Sequence, residues 1–345
     1  MEGKEAKSMM EMDEKALNIK ELSEGENLVN LFAIRSKYGP FDYKAGKFFV
    51  LDVGNKSGNI TAKYWGGADE KRLISLFSEL RVGDIVKISG QTRFDLREKQ
   101  LAIHINEKPR YGAPTGYIKK VDPSRVDISE FLPAAERDVD EMFDDLMNYV
   151  NGIENKDLKR LLRSFFEDEK FVKDFKMAPA AKVKHHNYIG GLLEHVLGVV
   201  RICTNLCEFY PTLDKDLLVT GAILHDIGKI PEYALSGSID FSERGILVGH
   251  IVLGDEIVTG AIERLGDFPE TLKLKLSHMI LSHHGTLEFG SPKRPKFGEA
   301  VALHHADFLD SDVKGILQRI DEYGEVEDDW TYVKGRDLDR YIYLK

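Results

Sequence analysis

Ten of the eleven histidines in this chain fall between His185 and His305, about a third of its length. Histidine is uncommon enough that such crowding calls for a shared task, and metal ligation is the commonest one. The tightest element is His225-Asp226-Ile227-Gly228-Lys229, at the end of an apolar helical stretch. It offers one nitrogen and one oxygen donor to the same point. Lys229, three residues after Asp226, shares that helix face and can reach a phosphate oxygen. A lone His-Asp pair is structural more often than not, but this pair has companions. His195 lies thirty residues upstream, and His250, the pair His283-His284 and Asp307 follow downstream. A phosphodiester resists attack because its oxygens are negative and water is a weak nucleophile. Two cations ~3.5–4 Å apart can activate a water and offset that charge, with one carboxylate, here Asp226, bridging them. Imidazole and carboxylate donors suit Mn, Fe, Co or Zn rather than Ca. Such a site needs no Ser or Cys nucleophile.

The elements that must position these residues change character along the chain. Stretches 28–35, 47–53, 59–65, 85–90 and 100–105 carry β-branched and aromatic residues in rough alternation, separated by turns such as Tyr38-Gly39-Pro40. One helical stretch, 70–80, lies between the third and fourth strands, which is the chain order of an OB-fold barrel. From Asp138 onward the period becomes 3.6, with helices expected at 136–151, 155–175, 189–209, 214–227, 247–264, 269–283, 297–310 and 312–323. The expected fold class is therefore multidomain: a five-stranded β-barrel followed by an all-α domain. The expected boundaries are a mobile lead over 1–20, the barrel over 21–112, a linker over 113–135, and a helical domain over 136–345 whose aromatic tail packs back on the body. The lead lacks the apolar region of a secretory signal. Whether synthesis starts at Met1 or at one of Met9, Met10 and Met12 stays open.

Two blocks, Leu51-Asp52-Val53-Gly54-Asn55-Lys56-Ser57-Gly58-Asn59-Ile60-Thr61-Ala62-Lys63-Tyr64-Trp65 and Gly83-Asp84-Ile85-Val86-Lys87-Ile88-Ser89-Gly90, are similar to OB-folds of the tRNA-anticodon type. The order His195…His225-Asp226…His250…His283-His284…Asp307 resembles the HD superfamily of metal-dependent phosphohydrolases, in its version with extra histidines for a second metal. Three further blocks narrow this. They are His185-His186-Asn187-Tyr188-Ile189-Gly190-Gly191-Leu192-Leu193-Glu194-His195, then the His225 to Lys229 run, then His283-His284-Gly285 with Gly290-Ser291-Pro292, Glu299-Ala300, Leu303-His304 and Asp307 with Leu309-Asp310. With the barrel, they resemble the YhaM-type 3′→5′ exoribonucleases over roughly residues 20 to 345. The resemblance implies Mn or Co dependence and release of nucleoside 5′-monophosphates. It also implies metal roles for His195, His225, Asp226, His250, His283, His284 and Asp307, and a phosphate-facing role for Lys229. Asp226 and Lys229 are thus the expected catalytic pair. His185 and His186 match the family's paired histidines, expected at the substrate or behind the ligands, with core packing the other reading. Near the last aspartate the family usually reads D-N-L-D-A-K, whereas this chain has Asp307-Phe308-Leu309-Asp310-Ser311-Asp312, which bears on substrate preference. For His278 and His305 packing is the expected role, and His304 is left open between ligand and core.

Charge separates the two halves. The chain carries a net −10, yet residues 28–120 hold 17 Lys and Arg against 9 Asp and Glu, while the remainder holds 31 against 49. A basic segment in an acidic protein points to a polyanionic partner for that segment alone. Single strands bind OB-folds by stacking on aromatics along a basic groove. Candidates are Trp65 or its neighbour Tyr64, and Phe94, with Lys63, Arg93 and Arg97 supplying charge. Tyr64 and Trp65 point to opposite faces, so one of them is core. The expected partner is single-stranded RNA, with single-stranded DNA not excluded by any residue and a homo-oligomer left open. No apolar run reaches the ~18–20 residues of a membrane span. The two cysteines, Cys203 and Cys207, read as small hydrophobes in a reducing compartment, the cytoplasm. Two other functions remain: an HD phosphohydrolase for small nucleotides or cyclic dinucleotides, and a non-catalytic nucleic-acid-binding factor.

Overall fold

A computed structural model describes residues 17–44, 46–67, 69–96, 98–107, 109, 113–182, 186–323, 329–333 and 340–344. His185 and Arg97 lie outside these. The chain divides into two compact units, Met1–Pro133 with Leu235–Ile239, and Ala134–Ala234 with Asp240–Lys345.

In the first unit six strands form one mixed sheet: β1 (Asn27–Tyr43), β2 (Gly46–Asn55), β3 (Gly58–Trp65), β4 (Ile85–Asp95), β5 (Gln100–Ile105) and β6 (Tyr117–Lys120). Their order is β1-β2-β3-β5-β4-β6, with a further pairing of β1 to β4 that makes the sheet barrel-like. Helix α1 (Glu70–Glu79) lies between β3 and β4 in the chain, capped by Asp69, and buries Leu73 and Leu76. The inward residues of alternate positions, among them Phe32, Phe49, Leu51, Tyr64, Ile88 and Ile103, form the core.

Three expectations need correcting. The turn placed at Tyr38-Gly39-Pro40 is not one: β1 runs through it, with a register shift between Tyr38 and Phe41 that accommodates a proline lacking a donor. The expected linker holds β6, which pairs with β4 because Ile118 can be buried beside Ile88. The end of the expected mobile lead forms a turn at Ile19–Glu21, with Ile19 buried and its N–H donated to Ser57 Oγ at 2.8 Å.

The second unit is helical: α2 (Val139–Gly152), α3 (Lys156–Phe166), α4 (Glu169–Met177), α5 (Gly191–Phe209), α6 (Lys215–Leu224), α7 (Lys229–Glu232), α8 (Glu243–Leu247), α9 (His250–Leu265), α10 (Glu270–Ser282) and α11 (Gly298–Tyr323). The stretch 155–175 breaks into two helices at Asp168, whose side chain accepts from the N–H groups of Lys170 and Phe171 and so starts α4. The stretches 297–310 and 312–323 instead form the single helix α11. Two short strand pairs accompany the helices in this part of the chain: β7 (Tyr233–Leu235) with β8 (Ile239–Phe241), and β9 (Trp330–Val333) with β10 (Arg340–Tyr343). The aromatic tail forms β9 and β10, where Ile342 is buried but Trp330, Tyr332, Tyr341 and Tyr343 are all exposed, so these rings do not pack on the body as expected. Among the described residues no helix is long and apolar enough to cross a membrane. Both cysteines are free thiols.

Candidate metal centre

Helix α6 is buried on every side from Leu217 to Leu224, as expected of a helix apolar all round. It delivers His225 and Asp226 at its C-terminal end, inside the unit, where both are shielded from solvent. Gly228 makes the next contact possible: a Cβ there would lie 2.0 Å from the carbonyl oxygen of His250. Without it, the start of α9 can close on the His225-Asp226 turn. His195 comes from α5, His283 and His284 from the residues just after α10, and Asp307 from α11.

The ligand atoms fall into two groups that share one residue. His195, His225, Asp226 and Asp307 can bring donor atoms within 4.8 Å of one another, and so can Asp226, His250, His283 and His284. His195 Nε2 lies 3.4 Å from Asp226 Oδ2 and 3.2 Å from Asp307 Oδ1. On the other side of the same carboxylate, Oδ1 of Asp226 is 3.5 Å from His283 Nε2 and 3.7 Å from His250 Nε2. Asp226 thus faces two clusters with its two oxygens.

The residues fit divalent cations. Asp226 Oδ1 and the Nε2 atoms of His250 and His283 are buried without a hydrogen-bond partner, which an apolar interior would not tolerate in the absence of a ligand. The other ring nitrogen of each histidine is tied down. Nδ1 of His225 meets Ala222 O at 2.8 Å, that of His283 meets Ile280 O at 2.6 Å, and that of His284 meets Phe289 O at 2.7 Å. His195 Nδ1 meets Asp310 Oδ2 at 2.7 Å and His250 Nδ1 meets Glu232 Oε1 at 3.0 Å. Acceptors on Nδ1 turn each Nε2 lone pair toward the centre, the usual support of metal-bound imidazole.

The electrostatics suit the same task. Burial raises the Asp226 carboxyl, but the Lys229 ammonium and the His225 and His195 rings reverse this and hold it well below its usual range. Asp307 is lowered in the same way by His195 and His225. Burial and the neighbouring His283 push His284 down to about 4, so it is neutral and able to ligate near pH 7. For His195 burial acts downward, and hydrogen bonds to Asp226, Asp307 and Asp310 raise it well above the ordinary value.

All seven residues expected as ligands therefore meet in one place. Lys229 is there too, but its Nζ sits 2.6 Å from Asp226 Oδ2, and it lines the adjoining cavity as well. His186 is buried beside the centre, not in that cavity: its Nε2 is 3.3 Å from Asp310 Oδ2, and its Nδ1 is 3.1 Å from Tyr188 Oη. His278 accepts the N–H of Lys296, and His304 donates to the carbonyl of His283 at 2.7 Å.

In the first unit Tyr64 is the core member of its pair, stacked on Phe49. Trp65 stacks on Phe48 at 4.7 Å and meets the edge of Tyr43 at 4.8 Å. Arg93 and Phe94 are exposed on β4. Lys63 differs from expectation: it is buried and paired with both Asp95 and Glu98, so its charge is neutralised within the unit.

The HD domain family matches residues 192–312, a span that holds every proposed ligand. A second family, named for a helicase, matches residues 131–213. The 3′-5′ exoribonuclease YhaM of Bacillus subtilis is 33% identical over 290 residues, covering 83% of this chain and 85% of that protein. That of Shouchella clausii is 35% identical over 271 residues, covering 77% of each. The chain belongs to the YhaM family. A solved structure, the HINb domain of p204, shows a TM-score of 0.20 at 10% identity, covering 30% of this chain and 43% of that one, too little to argue from.

As a YhaM-family member with an HD domain, the protein is a metal-dependent hydrolase. Its centre includes residues to which the sequence assigns no role. Glu232, eighteen positions before His250, has no motif to mark it, and burial is more than offset by its contacts with His250, which lower its pKa. Asp310 had a signal, since it lies three residues past Asp307 on the same helix face.

Proposed function

We propose that this protein is a 3′→5′ exoribonuclease that hydrolyses single-stranded RNA to nucleoside 5′-monophosphates, acting with two divalent cations, Mn or Co in preference to Fe or Zn. The observation that carries this reading is the sharing of Asp226 between two histidine clusters, in a chain whose relatives are named as 3′-5′ exoribonucleases. His195, His225, Asp226 and Asp307 would hold one cation, and Asp226, His250, His283 and His284 the other. Divalent cations at such a site supply Lewis acidity toward phosphoryl oxygens and a water of lowered pKa.

The chain's own residues do the rest. Asp310 and Glu232 keep His195 and His250 in one tautomer and orientation. Lys229 holds a positive charge at the mouth of the centre, where it can steady the non-bridging oxygens of the reacting phosphate. Water attacks the last phosphodiester, its proton passes to the departing 3′ oxygen of the penultimate nucleotide, and the product keeps its phosphate on the 5′ carbon. The first unit would hold the body of the strand. Its outward face carries Trp65, with Phe48 stacked on it, and Arg93 in a basic stretch, a combination suited to unpaired bases and phosphates. Single-stranded DNA is left open as a second substrate, and free thiols fit the reducing cytoplasm.

The test is an RNA labelled at either end and incubated with the protein and Mn. A 3′-labelled strand should give labelled 5′-mononucleotide at once, and a 5′-labelled strand should shorten stepwise. Products bearing 3′-phosphates, or cleavage of a circular RNA, would show the reading to be wrong. Hydrolysis of cyclic dinucleotides without attack on RNA would favour a small-nucleotide phosphohydrolase.

A further inference from the structure

Beside the metal centre the second unit contains a cavity of about 540 Å³. That is within the ordinary range for one small ligand, roughly 300–1,000 Å³, and fits one nucleotide better than a strand. One end is formed by His250, His283, His284 and Asp307, and the rest by groups no metal needs. Helix α11 contributes a stripe: after Asp307 come Phe308, Ser311, Asp312 and Gly315, spaced so that they share a face. Phe289 supplies a second ring, and both phenylalanines remain well exposed, at 43% and 48%. Gly315 stands inside a helix, where glycine is unfavourable by about 1 kcal/mol against alanine. Nothing lies within 4 Å of where its Cβ would be, so this position adds open space to the cavity.

Two carboxylates outside the ligand set line the cavity, Glu288 and Asp312, and Asp312 is the one on the α11 stripe. A site that takes polyanions gains nothing from another carboxylate unless that carboxylate meets hydroxyl groups. It lies five residues beyond Asp307, about 7.5 Å further along the helix axis, a separation that spans a ribose from its 5′-phosphate to its far hydroxyls. Arg340 on β10 holds Asp312 Oδ2 at 3.2 Å and fixes its direction.

We propose that this cavity receives the terminal nucleoside, with its base against Phe289 and Phe308 and its ribose hydroxyls donating to Asp312. The inference rests on the exoribonuclease reading above and deepens it. Asp312 becomes the group that reads the strand end: it accepts hydrogen bonds from a ribose diol, loses one when the sugar is 2′-deoxy, and repels a 3′-phosphate. Ser311 lies between this carboxylate and the metal centre, with its Oγ 3.5 Å from Asp307 Oδ1, and can take a sugar hydroxyl as well.

The experiment uses the full chain with Mn and three otherwise identical RNA strands, ending in a ribonucleotide, a 2′-deoxynucleotide or a 3′-phosphate. Asp312→Asn should lower kcat/KM on the first by about ten- to a hundredfold, the loss expected with a hydrogen bond to a charged group. It should lower the second less and narrow the penalty on the third. Equal losses on all three strands, reproduced by Arg340→Gln, would mean that Asp312 only anchors the hairpin, and would overturn the assignment. A second measurement does not depend on turnover. The manganese-loaded chain should bind adenosine 5′-monophosphate more tightly than its 2′-deoxy analogue, and Gly315→Leu should abolish that binding while leaving metal content intact. Binding that is indifferent to the 2′-hydroxyl, or untouched by Gly315→Leu, also defeats it. If the wild type releases mononucleotide from none of the strands, it is the exoribonuclease reading that fails, and the nucleotide-binding arms still judge the cavity.

Discussion

Asp310 Oδ2 accepts a 2.7 Å hydrogen bond from Nδ1 of His195, and the opposite nitrogen of that ring faces both Asp226 and Asp307. The carboxylate is itself partly buried, and the rings of His186 and His195 more than offset the upward push of burial on its pKa, holding it below the usual range. Removing it frees the His195 ring to turn and to exchange tautomers. Asp310→Ala should weaken metal binding by about 10–100-fold, the usual effect of losing such a partner, with activity restored in part by excess metal. Titration of the apo-protein with Mn measures this. Unchanged affinity would show that the ring is held by packing alone.

The double role proposed for Asp226 separates it from the other proposed ligands. Asp226→Asn should strip the protein of both cations, whereas His284→Ala should leave the cluster of His195, His225, Asp226 and Asp307 able to hold one. Elemental analysis of the two variants after gel filtration decides the matter. A variant at position 226 that kept two ions per chain would refute the shared carboxylate.

Five of the seven proposed ligands were legible in the sequence because they sit at the ends of elements, as adjacent pairs or beside a glycine, whereas His195 and Asp307 lie within α5 and α11. His225-Asp226 follows α6, His283-His284 follows α10, and His250 opens α9 behind Gly249. The partners that orient them were not legible. Glu232 reaches His250 only through the fold of the intervening turn and hairpin, and Asp310 reads as one acid among three in 307–312. Helices were expected to end at 310 and restart at 312, yet Asp310 turns inward to His195 and α11 continues. The strands were found from alternation. The run of β1 through Pro40 was missed because a bulge and a turn carry the same residues. Lys63 was misplaced because its partners, Asp95 and Glu98, come from the far end of β4 and the loop after it.

Glu194 shows how the buried network answers to pH. Burial raises its carboxyl, but His186, Lys314 and Tyr188 hold it at about 2 in the folded chain. A depressed folded pKa stabilises the protein above the unfolded value near 4.5, and this contribution is lost as pH falls from there toward 2. It amounts to at most about 3 kcal/mol, less what solvent screens at a side chain still 27% exposed. Glu194→Gln should flatten the decline of thermal stability between those two pH values, with a smaller difference from wild type at pH 2 than at pH 7. Parallel melting curves across that window would count against this network.

The first unit can be tested without cutting the chain. Arg93→Gln should weaken binding to all single strands and reduce the slope of log affinity against log salt by about one. Phe94→Ala, at an exposed ring, should leave the melting temperature almost unchanged while costing about 1–3 kcal/mol of binding if a base stacks there. Fluorescence anisotropy with a labelled RNA at several salt concentrations reads both. Wild-type curves for both variants would place the strand elsewhere on the unit.

Lys229 has two roles open to it, and they differ in sign. Burial lowers its pKa, but the carboxylates of Asp226 and Asp307 raise it above the usual lysine value, so it remains a cation beside the metal centre. A fixed positive charge there opposes divalent cations and supports the extra negative charge of a reacting phosphate. Lys229→Met should therefore bind Mn several-fold more tightly, yet show a kcat lowered by about a hundredfold or more with little rise in KM, since the phosphate charge is greatest in the transition state. The alternative is that Lys229 mainly braces Asp226 through their 2.6 Å contact. Its removal would then weaken metal binding, and added Mn would recover the lost rate. Metal titrations and steady-state kinetics on the one variant distinguish these outcomes. Weaker metal binding with rescue by Mn would remove Lys229 from the chemistry and leave it as a support for the shared carboxylate.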